Sequence, residues 1–104
     1  MLPFDYNKGL YRRNNFGQPC VWYARPLDYN SIEVFHGIIG KTITKDIIYI
    51  NREPREEITS RINAKLKVGY KNLWDIKDNV QLPVKGELLS YLDKYLPIHR
   101  TTTD

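Results

Sequence analysis

The chain has 104 residues, with 16 Lys+Arg against 12 Asp+Glu, so its formal net charge is +4 and its composition is 41% hydrophobic. That size predicts one domain with a single modest core, and aromatics at 12% argue against a disordered chain. No apolar run approaches the ~18 residues of a membrane span, Met1-Leu2-Pro3-Phe4-Asp5 lacks the basic and apolar regions of a signal peptide, and a single cysteine, Cys20, fits a reducing compartment such as the cytoplasm.

Residues 1–7 read as a poorly ordered lead-in. Gly9 to Arg13 is a short strand candidate, followed by the turn formers Asn14-Asn15-Phe16-Gly17-Gln18-Pro19. Cys20 to Arg25 is rich in β-favouring types and predicts a second strand. Ile32 to Gly37 predicts a third, with Ile32, Val34 and His36 alternating against Glu33 and Phe35. Gly37 and Gly40 bracket Ile38-Ile39, a pattern that marks a bulge or a close backbone approach. Thr42 to Ile50 predicts a fourth long strand or a bent pair. Short connections throughout make an antiparallel meander the expected topology.

The pattern changes at Pro54. A proline flanked by Glu53, Glu56 and Glu57 suits a helix start, by ring geometry and by the helix dipole. Ile58, Ile62 and Leu66 then recur at four-residue spacing, and Gly69 is a natural stop, predicting a helix over 55–68. Tyr70 to Lys77 predicts a short helical turn. A last helix is expected over 85–95, with Leu88, Leu89, Leu92 and Leu96 on one side and Pro97 as its end. The fold class expected is α+β: four or five antiparallel strands crossed by one main helix, with a C-terminal helix alongside.

The positive charge is concentrated in residues 8–71, which hold 12 basic and 6 acidic side chains. Arg12, Arg13 and Arg25 are interleaved with Tyr11, Trp22 and Tyr23. Cations among aromatics suit nucleic acid, where phosphates meet the charge and bases stack on the rings; core aromatics with solvated arginines are the bland alternative. Arg61, Lys65, Lys67 and Lys71 form a second cluster without an acid, a pattern that a helix C-terminus also accounts for.

Catalytic patterns are missing. Gly37-Ile38-Ile39-Gly40-Lys41 lacks the spacing of a phosphate loop, and no G-x-S-x-G or G-x-G-x-x-G occurs. Cys20 reads as a core thiol, His36 as a hydrogen-bonded histidine, and Glu56-Glu57 diverge on a helix. One Cys and two distant His residues make a closed zinc site improbable. No enzyme and no cofactor is expected.

Leu10-Tyr11-Arg12, Val21-Trp22-Tyr23, Val34-Phe35-His36-Gly37-Ile38-Ile39-Gly40-Lys41 and Leu66-Lys67-Val68-Gly69-Tyr70, in this order, resemble the WGR domain of poly(ADP-ribose) polymerases. The same segments resemble still more closely the WGR-like segment ahead of the catalytic core in some phage and viral ATP-dependent DNA ligases. The resemblance runs from Lys8 to Ile76. The glycine of the family's Trp-Gly-Arg matches Gly37, which leaves His36 at the Trp position and Ile38 at the Arg position. No Lys-x-Asp-Gly adenylation motif is present.

The resemblance implies a non-catalytic DNA-binding accessory module of replication or repair, recognising ends, nicks or junctions, with a DNA ligase or another repair protein as a possible companion. The division expected is 1–7 lead-in, 8–78 WGR-like domain, 79–97 helical extension and 98–104 tail. Arg12, Arg13, Arg25 and Lys41 would hold phosphates. Trp22, Tyr23 and His36 would supply a packing surface, Gly37 and Gly40 a close backbone approach, and Lys65, Lys67 and Lys71 further charge. A different class, a small viral or bacterial module that docks on or inhibits another protein, would use an apolar patch of Trp74, Leu88, Leu92 and Tyr95.

Overall fold

A computed structural model of the chain describes residues 2–76 and 88–96. A single 3-10 turn, Tyr6–Lys8, leads into four strands: β1 (Leu10–Arg13), β2 (Pro19–Asp28), β3 (Ser31–Ile38) and β4 (Ile43–Tyr49). Each pairs antiparallel with the next, giving the order β1-β2-β3-β4 in one open sheet. Helix α1 (Pro54–Lys67) follows, then the short α2 (Leu73–Ile76) and α3 (Leu88–Tyr95). The fold is α+β, as the alternation and short connections predict. The expected helix residues 85–87, the segment 77–84 and the tail 98–104 lie outside the described residues.

Local chemistry sets each turn. Asn14 Oδ1 accepts from the backbone N–H of Phe16 and of Gln18, both at 2.9 Å, closing the β1–β2 turn. Asp28 Oδ1 accepts from Asn30 N–H and from the Ser31 hydroxyl, at 3.1 and 2.6 Å, closing the β2–β3 hairpin. These bonds hold the Asp28 carboxyl below the usual carboxylate range, the Ser31 hydroxyl most of all. Glu53 caps α1 by accepting from Glu56 N–H at 3.1 Å, and Pro54 opens its first turn.

Both sheet faces are covered, and the cross-strand register divides the residues between them. On one face Leu10, Trp22, Ala24, Ile32 and Val34 form a buried cluster with Ile58 of α1, with Ile62 and Tyr70 packed on it. On the other, Tyr11 and Val21 pack with Leu73 of α2 and with Leu88, Tyr91, Leu92 and Leu96 at α3. Each cluster removes large apolar side chains from water, at about 1.5–3 kcal/mol for a fully buried one. Covering on both sides explains why Ser31 to Phe35 are all buried although the sequence alternates.

Three expectations change. The N-terminal residues are not a loose lead-in: the Phe4 ring stacks on Tyr23 with centroids 4.5 Å apart, and the Tyr11 hydroxyl donates to Tyr6 O at 2.6 Å. The α1 stripe stops at Ile62, with Leu66 42% exposed, because Lys65 and Tyr70 already lie against Trp22 at that end of the sheet. On α3, Tyr91 is buried where Leu89 was expected, since Leu89 falls outside the sheet-facing arc.

Candidate nucleic-acid interface

β1 is a short edge strand. Its outer side pairs with the chain returning from α1 through one two-way bridge, Tyr11 N–H to Lys71 O at 2.8 Å and Lys71 N–H to Tyr11 O at 2.9 Å. Gly69, at φ +103, makes that return possible, since a side-chain-bearing residue would be strained there. The return brings residues 68–71 against β1. Arg12 donates from Nη1 to Val68 O, and its guanidinium lies 5.1 Å from the Tyr70 ring centroid. Lys65 Nζ lies 5.5 Å from the same ring and 5.8 Å from that of Trp22. Lys67 and Lys71 are exposed beside them.

Among the described residues, none of Arg12, Lys65, Lys67 and Lys71 has a carboxylate within ion-pair distance. Two cations face one ring, a cation–π arrangement of about 0.5–2 kcal/mol each, and four positive charges share one edge of the fold. Burial pushes the Tyr70 phenol up, against the opposing pull of Arg12. Cys20 lies near this group half-buried, rather than in the core, and burial pushes its thiol up as well. A protonated thiol there is a poor nucleophile.

The structure brings together only part of the predicted set. Arg12 and Arg13 are consecutive on a strand, so they point to opposite faces. Arg13 is buried under α3, where it donates to main-chain carbonyls, and offers nothing to a phosphate. Trp22 is 5% exposed and belongs to the core under α1, so the expected stacking surface is closed. Tyr23 is half-buried between the Phe4 and Phe35 rings. The protein-docking patch changes too: Leu88 and Leu92 are buried against the sheet, which leaves Trp74 exposed without them.

Arg25 sits on the face away from Arg12 and Lys65. Its Nε donates to Glu33 at 3.0 Å, and Lys45 Nζ lies 3.5 Å from the other oxygen of that carboxylate. His36 Nε2 lies 2.9 Å from Asp46 Oδ2, half-exposed. Gly37 and Gly40 shape the β3–β4 connection, and Lys41 is exposed on it, at the same end of the sheet as Arg12 but across two strands. Sequence reasoning passed over Tyr70 as the ring that gathers the cations, although its place between Lys67 and Lys71 was the available signal. The Arg25–Glu33 pair needed the strand register.

Glu33 makes a test of the opposite face. The Arg25 hydrogen bond, aided by both cations and opposed by burial, holds its carboxyl below the ordinary range. A depressed carboxylate stabilises the fold above its unfolded value, about 4.3, and loses that contribution as pH falls through the folded value. Glu33→Gln is therefore expected to lower the urea midpoint at pH 7. The gap to the parent protein should close on acidification below about pH 4. Parallel curves from pH 7 to pH 3 would refute the pairing.

Among the described residues, no group of three or more His, Cys, Asp or Glu is placed to hold a metal ion, and no helix is long and apolar enough to cross a membrane. No family model, curated protein or solved structure matches the chain.

Proposed function

We propose that this chain is a non-catalytic nucleic-acid-binding module, acting on DNA in replication or repair, as the resemblance to WGR domains implies. The observation that carries the reading is the edge cluster of Arg12, Lys65, Lys67 and Lys71 around Tyr70, without a carboxylate partner among the described residues. Arg13, Arg25, Lys45, Arg52 and Arg61 are engaged in internal pairs, so they are not free in the same way. Cations along one edge match the spaced phosphates of a nucleic acid backbone, and binding them releases condensed counterions. Such contacts position a strand without reading its sequence.

The test is anisotropy of labelled DNA across a salt series. Lys67→Glu/Lys71→Glu removes two exposed charges that support no core packing. It should weaken binding roughly tenfold or more at low salt and reduce the salt slope by about 2. Arg55→Glu, at the far end of α1 and about 18 Å along its axis from Lys67, should change affinity less than about twofold. Binding that is insensitive to salt, or equal in the double variant, would remove the reading. A second reading, docking on a protein, is favoured by exposed Ile47 and Tyr49 on the edge strand β4. Tyr49→Lys abolishing a protein complex while leaving DNA binding intact would support that alternative.

A further inference from the structure

We infer that the nucleic acid bound at the β1 edge is single-stranded, and that the indole of Trp74 is the platform on which one of its bases stacks. The inference rests on the nucleic-acid reading above and adds the strandedness. The two tryptophans of the chain have opposite environments: Trp22 is 5% exposed, whereas Trp74 is 65% exposed. Trp74 stands on α2, whose neighbour Leu73 is buried in the core, so the helix is anchored while the indole is left in water. Asn72 Oδ1 accepts from Asp75 N–H at 2.8 Å, which fixes this turn from its start.

Position supplies the ligand chemistry. The bridge to Tyr11 pins Lys71 against β1, and Trp74 follows three residues later. From Lys65 to Ile76 the chain carries three lysines and one carboxylate, Asp75. Arg12 adds a fourth cation from β1. Leu73 packs α2 on the face of Tyr11 and Val21, opposite Trp22 and Tyr70, so a strand would reach Trp74 by passing Lys71 round the β1 edge. An exposed indole three residues from the last of these lysines offers what a single strand presents and a duplex conceals: a backbone charge with an accessible base face beside it. In a duplex the bases are stacked on one another, so the indole would gain nothing from them. A protein partner would also bury an indole, but the row of lysines with a single acid favours a polyanion.

Anisotropy of labelled oligothymidylate, oligouridylate and a duplex of equal length, each across a salt series, tests this. The single strands should bind more tightly than the duplex, and the thymidylate and uridylate arms tell DNA from RNA. Trp74→Ala should weaken single-strand binding about 5- to 150-fold and duplex binding less than about twofold, with Trp74→Phe retaining most of the affinity. Quenching of tryptophan fluorescence by oligothymidylate should occur in the parent protein and vanish in Trp74→Phe, which keeps only Trp22. Salt-dependent binding of all probes that is unchanged in Trp74→Ala, without quenching, would overturn the stacking inference and leave the cation cluster standing. A parent protein that binds no probe at low salt would overturn both.

Discussion

Replacing Arg13 with alanine is expected to lower the unfolding free energy by about 3–5 kcal/mol, because several buried hydrogen bonds to a charged group, about 1.5–3 kcal/mol each and not additive, are lost together. Arg13 donates from Nε to Leu96 O at 3.0 Å, from Nη2 to Leu92 O and Asp93 O at 2.9 and 3.1 Å, and from Nη1 to Gly17 O at 2.8 Å. The first three acceptors are carbonyls at the C-terminal end of α3, where helical N–H partners run out and the dipole is negative. One guanidinium therefore closes a helix end and fastens it to β1. The substitution takes the guanidinium donors away from those carbonyls, of which Leu92 O keeps the Leu96 N–H at 2.9 Å, and opens a gap beside Leu92 and Leu96. At roughly 4–8 °C per kcal/mol for a domain of this size, the midpoint should fall by about 12–40 °C.

Two comparisons isolate the cause. Asp93 lies 4.0 Å from the guanidinium with its own side chain largely exposed, so Asp93→Asn should cost less than about 1 kcal/mol. Arg13→Lys keeps the charge but loses the planar fork, and should recover only part of the loss. Urea denaturation followed by near-ultraviolet circular dichroism reads all three. A loss under about 1 kcal/mol for Arg13→Ala would mean that α3 is not docked in this way. If Arg13→Ala destabilises as expected, loss of the proposed DNA binding in that variant reports unfolding rather than a missing phosphate contact, which is why the candidate interface is better probed at Lys67 and Lys71.

The elements with local signals were legible in the residues. Pro54 with its flanking acids, the spacing of Ile58 and Ile62, and Gly69 mark α1 to within a residue at each end, because capping and periodicity act over one or two turns. The meander followed from turn formers between short β-rich runs. What escaped was non-local. Strand alternation places Arg12 and Arg13 on opposite faces, but nothing within a strand says that α3 covers one of those faces and leaves room at the other. Trp22 could be core or platform by the same logic, until α1 is laid over it. The stack of Phe4 on Tyr23, across a strand and a half of sequence, has no local signature at all. The candidate site was half-readable for the same reason: its lysines lie within one stretch of chain, whereas Arg12 reaches it only through tertiary packing.

Gly37→Ala carries the second large effect, about 2–4 kcal/mol of destabilisation. The resemblance matches Gly37 to the central glycine of the family motif, and a missing side chain there could serve a DNA backbone or the protein's own. The geometry supplies an internal reason. Gly37 sits at φ +152, and a Cβ built on it would meet Thr42 O at 2.9 Å and the Ile43 side chain and Cα at 3.2 and 3.3 Å. Thr42 O is backbone just before β4, so it yields only if the β3–β4 pairing shifts. Gly40 offers the contrast. It is at φ +91 with nothing near a built Cβ, so Gly40→Ala should cost only the backbone strain, roughly 1–2 kcal/mol. If Gly37→Ala melts well below Gly40→Ala, the glycine is required by the hairpin itself. If Gly37→Ala instead keeps the parent stability and loses DNA binding, the bare backbone at that position faces the ligand, and the interface extends from β1 across the sheet to His36 and Lys41.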